Sequence, residues 1–224
     1  MIKRVKLQDR VLPKYCLGEE ITNTVTHILG GIGSVIALIL CIRKAFVFHG
    51  PVEVAGAAIY GACLIVLYSF SSIYHGLKPS MAKKVMQVLD HCAIYFLIAG
   101  SYSMITLSAI RQYDPMLGWG MFAVEWILCA IATVLTAIDL KRYEMFSMIC
   151  YIGMGWAIFP FLKTIYAILT PAGFWLLLAG GIAYTVGAVL YGIGSKVKWM
   201  HSVFHVFVVL GSTLQFIAFY RYGL

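Results

Sequence analysis

The chain has 224 residues, 62% of them hydrophobic and only 12% charged, with a formal net charge of +8 and a mean hydropathy of +0.89. A soluble domain averages about 45–50% apolar and about 25% charged residues, so the main body of this protein is not a water-soluble fold. The positive charge needs no nucleic-acid partner, because basic loops facing anionic lipid headgroups account for it.

Residues 1–20 are polar and carry no apolar stretch of the kind found in cleavable signals. They are expected to form a short cytoplasmic N-terminal segment. A bilayer-spanning helix needs roughly 20 mostly apolar residues. Seven charge-poor windows meet this, at about 21–42, 52–75, 87–110, 117–138, 145–166, 172–194 and 199–220. The expected fold is an all-α membrane protein, a seven-transmembrane-helix bundle occupying residues 21–221 as one domain. Short linkers with turn chemistry join the windows: "HGPVE" at 49–53, "GLKPSMAKK" at 76–84, "YDPMLG" at 113–118 and "LTPAG" at 169–173. Six cysteines (Cys16, Cys41, Cys63, Cys92, Cys129 and Cys150) are scattered without a CxxC pair and read as small packing residues.

Seven spans put the two termini on opposite sides. Lysine and arginine number 12 on the side that carries the N-terminus and five on the other. The positive-inside rule then places the N-terminus inside and the C-terminus outside.

Ranking the polar residues by depth brings several together at the cytoplasmic level. The second window ends in "YSFSSIYHGLKPS", with Ser71 and His75 four apart. The third begins "KKVMQVLDHCAIYF", with Asp90 about two turns above Lys84. The seventh begins "KWMHSVFH", with His201 and His205 four apart and therefore on one helix face. Three neutral imidazoles with an open fourth position are the ligand set of catalytic-type zinc sites. No glutamate separates His201 from His205, so the HExxH pattern is absent. Asp90 is the carboxylate at the right depth to act as base. Each residue also has a plainer reading. A lone intramembrane histidine commonly bonds a neighbouring helix, Asp90 can pair with a loop lysine, and Ser71 can bond its own helix backbone.

The segments "SSIYH", "LDHCAIYFLIAGSY" and "HSVFH" resemble signature segments of the progestin and adipoQ receptor family, whose bacterial branch is hemolysin III. "EEITNTVTHILGGIGS" and "YIGMGW" resemble that branch's first and fifth spans. The resemblance covers nearly the whole chain. It implies a seven-helix bundle with the N-terminus inside and zinc (Zn2+) held by His75, His201 and His205. It implies further that Ser71 and Asp90 are the other two signature polar positions, with Asp90 beside the catalytic water. The family's suggested kinship to alkaline ceramidases implies hydrolysis of lipid amides.

Glu20, Asn23 and His27 fall on one face of the first window near the same level. They read either as a layer around the metal and a pocket wall, or as a cap and an interhelical bond. His91 points about 100° away from Asp90 on a helix and is left outside the ligand set. Glu125 lies mid-window, away from the cluster, and is a functional candidate by its place in the bilayer. "GGIGS" and "GMGW" suit close helix packing rather than phosphate binding, and His49 is a loop residue without an assigned role.

The first functional expectation is a zinc-dependent hydrolase of lipid amide or ester bonds in the cell membrane, with Asp90 and Ser71 as catalytic groups. The alternatives are a haemolysin-like, membrane-perturbing protein and a non-enzymatic sensor or receptor with structural zinc. Orientation is open to direct test: reporter fusions at Lys14 and Leu224 should report the cytoplasm and the exterior respectively. Two reporters on the same side would break the seven-span count.

Overall fold

The computed structural model describes residues 5–194 and 197–224. Lys3, Arg4 and Lys196, which enter the charge tally, lie outside the described residues. Helices α1 (Leu17–Phe48), α2 (Pro51–Gly76), α3 (Met81–Tyr113) and α4 (Pro115–Ile138) follow one another through short turns. Beyond a turn come α5 (Glu144–Gly155), the 3-10 turn Phe159–Phe161, α6 (Leu162–Gly194) and α7 (Met200–Gly223). No strand occurs among the described residues.

The linkers do the work their composition suggests. Pro51 and Pro115 occupy first-turn positions, where a missing N–H costs nothing. The Glu53 carboxylate accepts from the Gly50 N–H at 3.1 Å, Ser80 Oγ from Lys83 N–H at 3.2 Å and Asp114 Oδ1 from Leu117 N–H at 3.0 Å. At the start of α1 the Glu19 carboxylate accepts from Cys16 N–H at 2.8 Å. Glu19 therefore serves the helix end, which leaves Glu20 and Asn23 free of that role.

Among the described residues, six helical stretches are long and apolar enough to cross a membrane, by length and composition. Five correspond to single windows. The sixth, Glu144–Gly194, runs over 51 residues. As one straight helix it would extend about 77 Å, more than twice the ~30 Å hydrocarbon layer. It is not straight. Thr170 has φ 63° and ψ 163°, a rare backbone for a β-branched residue. Pro171 follows it and disfavours helical geometry in its predecessor. The break falls inside the "LTPAG" linker.

Helix α3 is the centre of the bundle: 83% of its apolar window is buried, against 28% for α1 and α4. It packs on α2, α4 and α5, while α7 packs on α6 and α1 and so closes the ring back to α2. The seam between α1 and α2 is close because glycines line it. A Cβ on Gly61 would lie 2.9 Å from Leu38 Cα, and one on Gly30 would lie 2.5 Å from the Tyr68 ring. The "GGIGS" stretch is thus a packing surface, as composition suggests.

The N-terminal segment is tied across the end of the bundle that carries the α2–α3 and α4–α5 turns. Val5 N–H donates to Asp139 Oδ2 at 2.9 Å, and Lys84 Nζ donates to the Gln8 carbonyl. Burial by itself would raise the Asp139 carboxyl. The N–H groups of Val5, Arg142 and Lys141, with the nearby Arg10 charge, outweigh it and hold the pKa below the usual carboxylate range. A depressed folded-state pKa contributes stability that is complete above the unfolded value of about 3.9 and is lost as pH falls through the folded one. Asp139→Asn should accordingly remove, at neutral pH, the hydrogen-exchange protection of the segment around Val5. Wild type should lose it only in acid. Identical protection in both proteins at neutral pH would rule this latch out.

Candidate metal centre

Helix α2 delivers His75 on its last turn, and α7 delivers His201 and His205 on its first two. Trp199, with φ 68°, starts α7 and donates its N–H to Glu19 Oε1 at 2.7 Å, which ties that helix start to the start of α1. All three imidazoles are buried, with exposures of 2%, 6% and 1%. His201 Nε2 lies 3.3 Å from His75 Nε2 and 3.2 Å from His205 Nε2.

The proton positions decide what these short distances mean. His75 Nδ1 lies 2.7 Å from Glu20 Oε2. Glu20 also accepts from Lys83 Nζ at 2.5 Å, as an ionised carboxylate does. A carboxylate only accepts, so Nδ1 carries the proton and Nε2 keeps its lone pair. The Asn23 amide nitrogen lies 3.3 Å from the same Nδ1 while Asn23 Oδ1 has no partner. Exchanging the two amide atoms turns that contact into a second acceptor for the N–H. His75 Nε2 thus presents a lone pair to two further ring nitrogens.

Imidazole nitrogens brought this close call for a shared proton or a cation. With metal–nitrogen bonds of about 2.0–2.1 Å, the edge of a zinc tetrahedron is about 3.3–3.4 Å. The two measured separations fit that edge, and one donor atom from each histidine lies within 4.8 Å of the others. The donor set is all nitrogen, which suits zinc, copper, iron or nickel rather than magnesium or calcium. A carboxylate holding the outer nitrogen of a ligating histidine is the usual support of such sites. The three histidines can hold a metal ion.

Ser71 and Asp90 border the same cavity as His201 and His205, a space of about 140 Å³. Ser71 is a side-chain neighbour of the Asp90 carboxyl. Among the described residues no lysine pairs with Asp90: Lys83 instead bonds Glu20 and the Leu77 carbonyl, the latter at 2.9 Å. His27 stacks on His205, ring centroids 3.8 Å apart, and meets Tyr68 edge-on, so it is a wall of the cavity beside the histidine cluster. His91 has both nitrogens engaged, with the Gln87 carbonyl at 2.7 Å and Tyr191 Oη at 3.0 Å. Glu125 is buried on the face of α4, both carboxyl oxygens without a hydrogen-bond partner among the described residues, and does not border this cavity.

Two participants escape a reading by sequence. Tyr15 stacks on His201 at 4.8 Å and lids the cluster from the N-terminal side, although it precedes the first apolar window. Lys83 counts in sequence only as a loop charge, yet it is 3% exposed and braces Glu20. The available signal was its place one turn inside α3, just beyond the Ser80 cap.

The stretch holding every one of these groups, residues 15–216, matches the family model described as "Haemolysin-III related". The chain belongs to that family. It is 39% identical over 198 residues to "Hemolysin-3" of Bacillus cereus, covering 88% of this chain and 89% of that protein. It is 33% identical over 202 residues to "Hemolysin-3 homolog" of Bacillus subtilis (strain 168), covering 90% and 93%. The human "Monocyte to macrophage differentiation factor" is 25% identical over 173 residues, covering 74% of this chain and 69% of that protein. The kinship expected from the signature segments thus holds for both bacterial and animal relatives. With several membrane-spanning helices, this family member is a multi-pass cell-membrane protein.

His205→Ala removes a donor two turns into α7, where water is a poor substitute, so metal per protein should fall sharply. His49→Ala changes the far end of α1, about 40 Å from Glu20 along the helix, and should leave it unchanged. Metal analysis of the purified proteins decides: equal content in both would refute the assignment.

Proposed function

We propose that this protein is a zinc-dependent hydrolase of lipid amide or ester bonds, working inside the membrane near its cytoplasmic face. The observation that carries the reading is one cavity bordered by two of the converging histidines, a carboxyl group, a hydroxyl and otherwise mostly apolar side chains. Zinc held by His75, His201 and His205 would supply Lewis acidity toward a carbonyl oxygen and toward water.

The chain's own groups have distinct tasks in that reaction. Asp90 takes a proton from the attacking water and returns it to the departing amine or alcohol. Ser71 orients the Asp90 carboxylate through their contact and can turn its hydroxyl toward the developing oxyanion. Glu20, braced by Lys83, keeps the His75 proton on Nδ1. Leu67, Ile94, Leu97 and Val208 give the cavity an apolar wall along which a hydrocarbon chain is accommodated. Water adds across the bond: its hydroxyl goes to the acyl carbon and its proton to the leaving group.

The orientation proposed with this function counts Glu144–Gly194 as two spans, divided at Thr170. Seven spans and the basic excess beside the N-terminus support an internal N-terminus and an external C-terminus. The site then faces the cytoplasmic leaflet, and membrane lipid is the substrate. Lysis seen on overexpression would follow from released fatty acid rather than from a pore.

Asp90→Asn keeps size and polarity but not the proton acceptor. It should retain zinc and fold while turnover falls by about 10²–10⁴-fold. Zinc content and fatty-acid release are measured together. Retained zinc with full release would exclude Asp90 as base, and an unchanged cellular effect would favour a sensor with structural metal.

A further inference from the structure

Serines on these helices habitually donate to a carbonyl one turn back. Ser34 donates to Gly30, Ser72 to Tyr68, Ser103 to Ala99 and Ser108 to Met104. That is the usual outlet for a hydroxyl in an apolar helix bundle. Ser101, like Ser202 beside the histidines, departs from this: it is 93% buried, counted from 7% exposure, and its hydroxyl has no partner among the described residues. On α7, the Gln215 side-chain oxygen is likewise buried and unpartnered. The two residues border the same two cavities, the 140 Å³ space that reaches the histidines and an apolar one of about 50 Å³ beyond it.

Their depth agrees as well. Ser101 lies 11 residues beyond Asp90 on α3, and Gln215 lies 10 beyond His205 on α7. Both are therefore about 15 Å further along the bundle. The neighbouring polar groups are satisfied: Trp156 Nε1 donates to Thr185 Oγ1 at 3.0 Å, and Tyr102 Oη accepts from Ile158 N–H at 2.9 Å. Gly180 makes the room that Gln215 occupies, since a Cβ there would lie 2.7 Å from Gln215 Cγ. Leaving a hydroxyl and an amide oxygen unpaired at this depth is costly.

Resting on the lipid-hydrolase reading above, we propose that Ser101 and Gln215 recognise a hydroxyl group carried part-way along the substrate's acyl chain. An alcohol accepts from Ser101 and donates to the Gln215 oxygen, and so satisfies both. A keto oxygen can only accept, so it meets the Ser101 hydroxyl but requires the Gln215 amide to turn its nitrogen inward. A saturated chain would leave both unmet. The substrate class is therefore a lipid whose chain is hydroxylated well away from the bond that is cut.

Binding rather than turnover tests this. Octadecanoic acid and its analogue hydroxylated at mid-chain are titrated separately into the zinc-loaded, detergent-solubilised protein, and affinity is read by native mass spectrometry. The hydroxy acid should bind about tenfold more tightly. Ser101→Ala and Gln215→Met should each erode that preference while leaving octadecanoic acid binding unchanged. The two single variants are independent, so one that fails to fold leaves the other to decide. Equal affinities in wild type would overturn the proposal alone, because water then meets these groups as well as a ligand does. A preference that survives both substitutions would overturn the assignment to these residues. Failure of both acids to bind would overturn the lipid reading and this proposal with it.

Discussion

Three ring nitrogens inside a membrane protein, that of His201 lying 3.3 Å from His75 and 3.2 Å from His205, are the constraint around which the rest is arranged. Bringing the lone pairs of these imidazoles together is unfavourable without a cation. The arrangement persists only because each ring is held by something else. Glu20 fixes the His75 proton, Lys83 fixes Glu20, Tyr15 stacks on His201 and His27 stacks on His205. Four helices and the N-terminal segment converge on a volume that a single ion would fill.

The long-range architecture serves that convergence. His75 ends one helix and His201 begins another 126 residues later, so their registers must agree to within a fraction of a turn. Glycines Gly30 and Gly61 let α1 and α2 pack closely, and Glu20 on α1 meets His75 on α2 at 2.7 Å. The link from Trp199 N–H to Glu19 sets the start of α7 against the start of α1. Glu19 and Glu20 are adjacent in sequence yet divide the labour: one orders helix ends and the other orders the His75 ring.

The cavity has a chemical gradient. At one end are the histidines, Asp90 and Ser71; beyond them the walls are aliphatic and aromatic; and further still come Ser101 and Gln215. Polar groups at one end of an apolar channel suit the proposed amphiphilic substrate, whose polar bond would sit at the membrane level where proton donors and water are available. The same low-dielectric walls strengthen any electrostatic contact made within them.

The division between what sequence and tertiary structure decide follows from the range of the forces involved. Membrane residence, the positions of most helices and the grouping of His75, His201 and His205 were legible in the chain, because hydropathy and helical rise are local properties, whereas the interruption of the 145–166 window after Gly155 was not. The capping turns at Pro51, Ser80 and Pro115 were legible for the same reason. Sequence could say that Glu20, Asn23 and His27 share a face, but not that Glu20 holds His75 while His27 stacks on His205. Those outcomes depend on rotation and approach between α1, α2 and α7. Lys83 and Tyr15 were hidden for a related reason: a loop lysine and a tyrosine before the first apolar window acquire a role only when distant helix ends meet over them. Local periodicity places a residue on a face and at a depth. Only packing decides which neighbour it finds there.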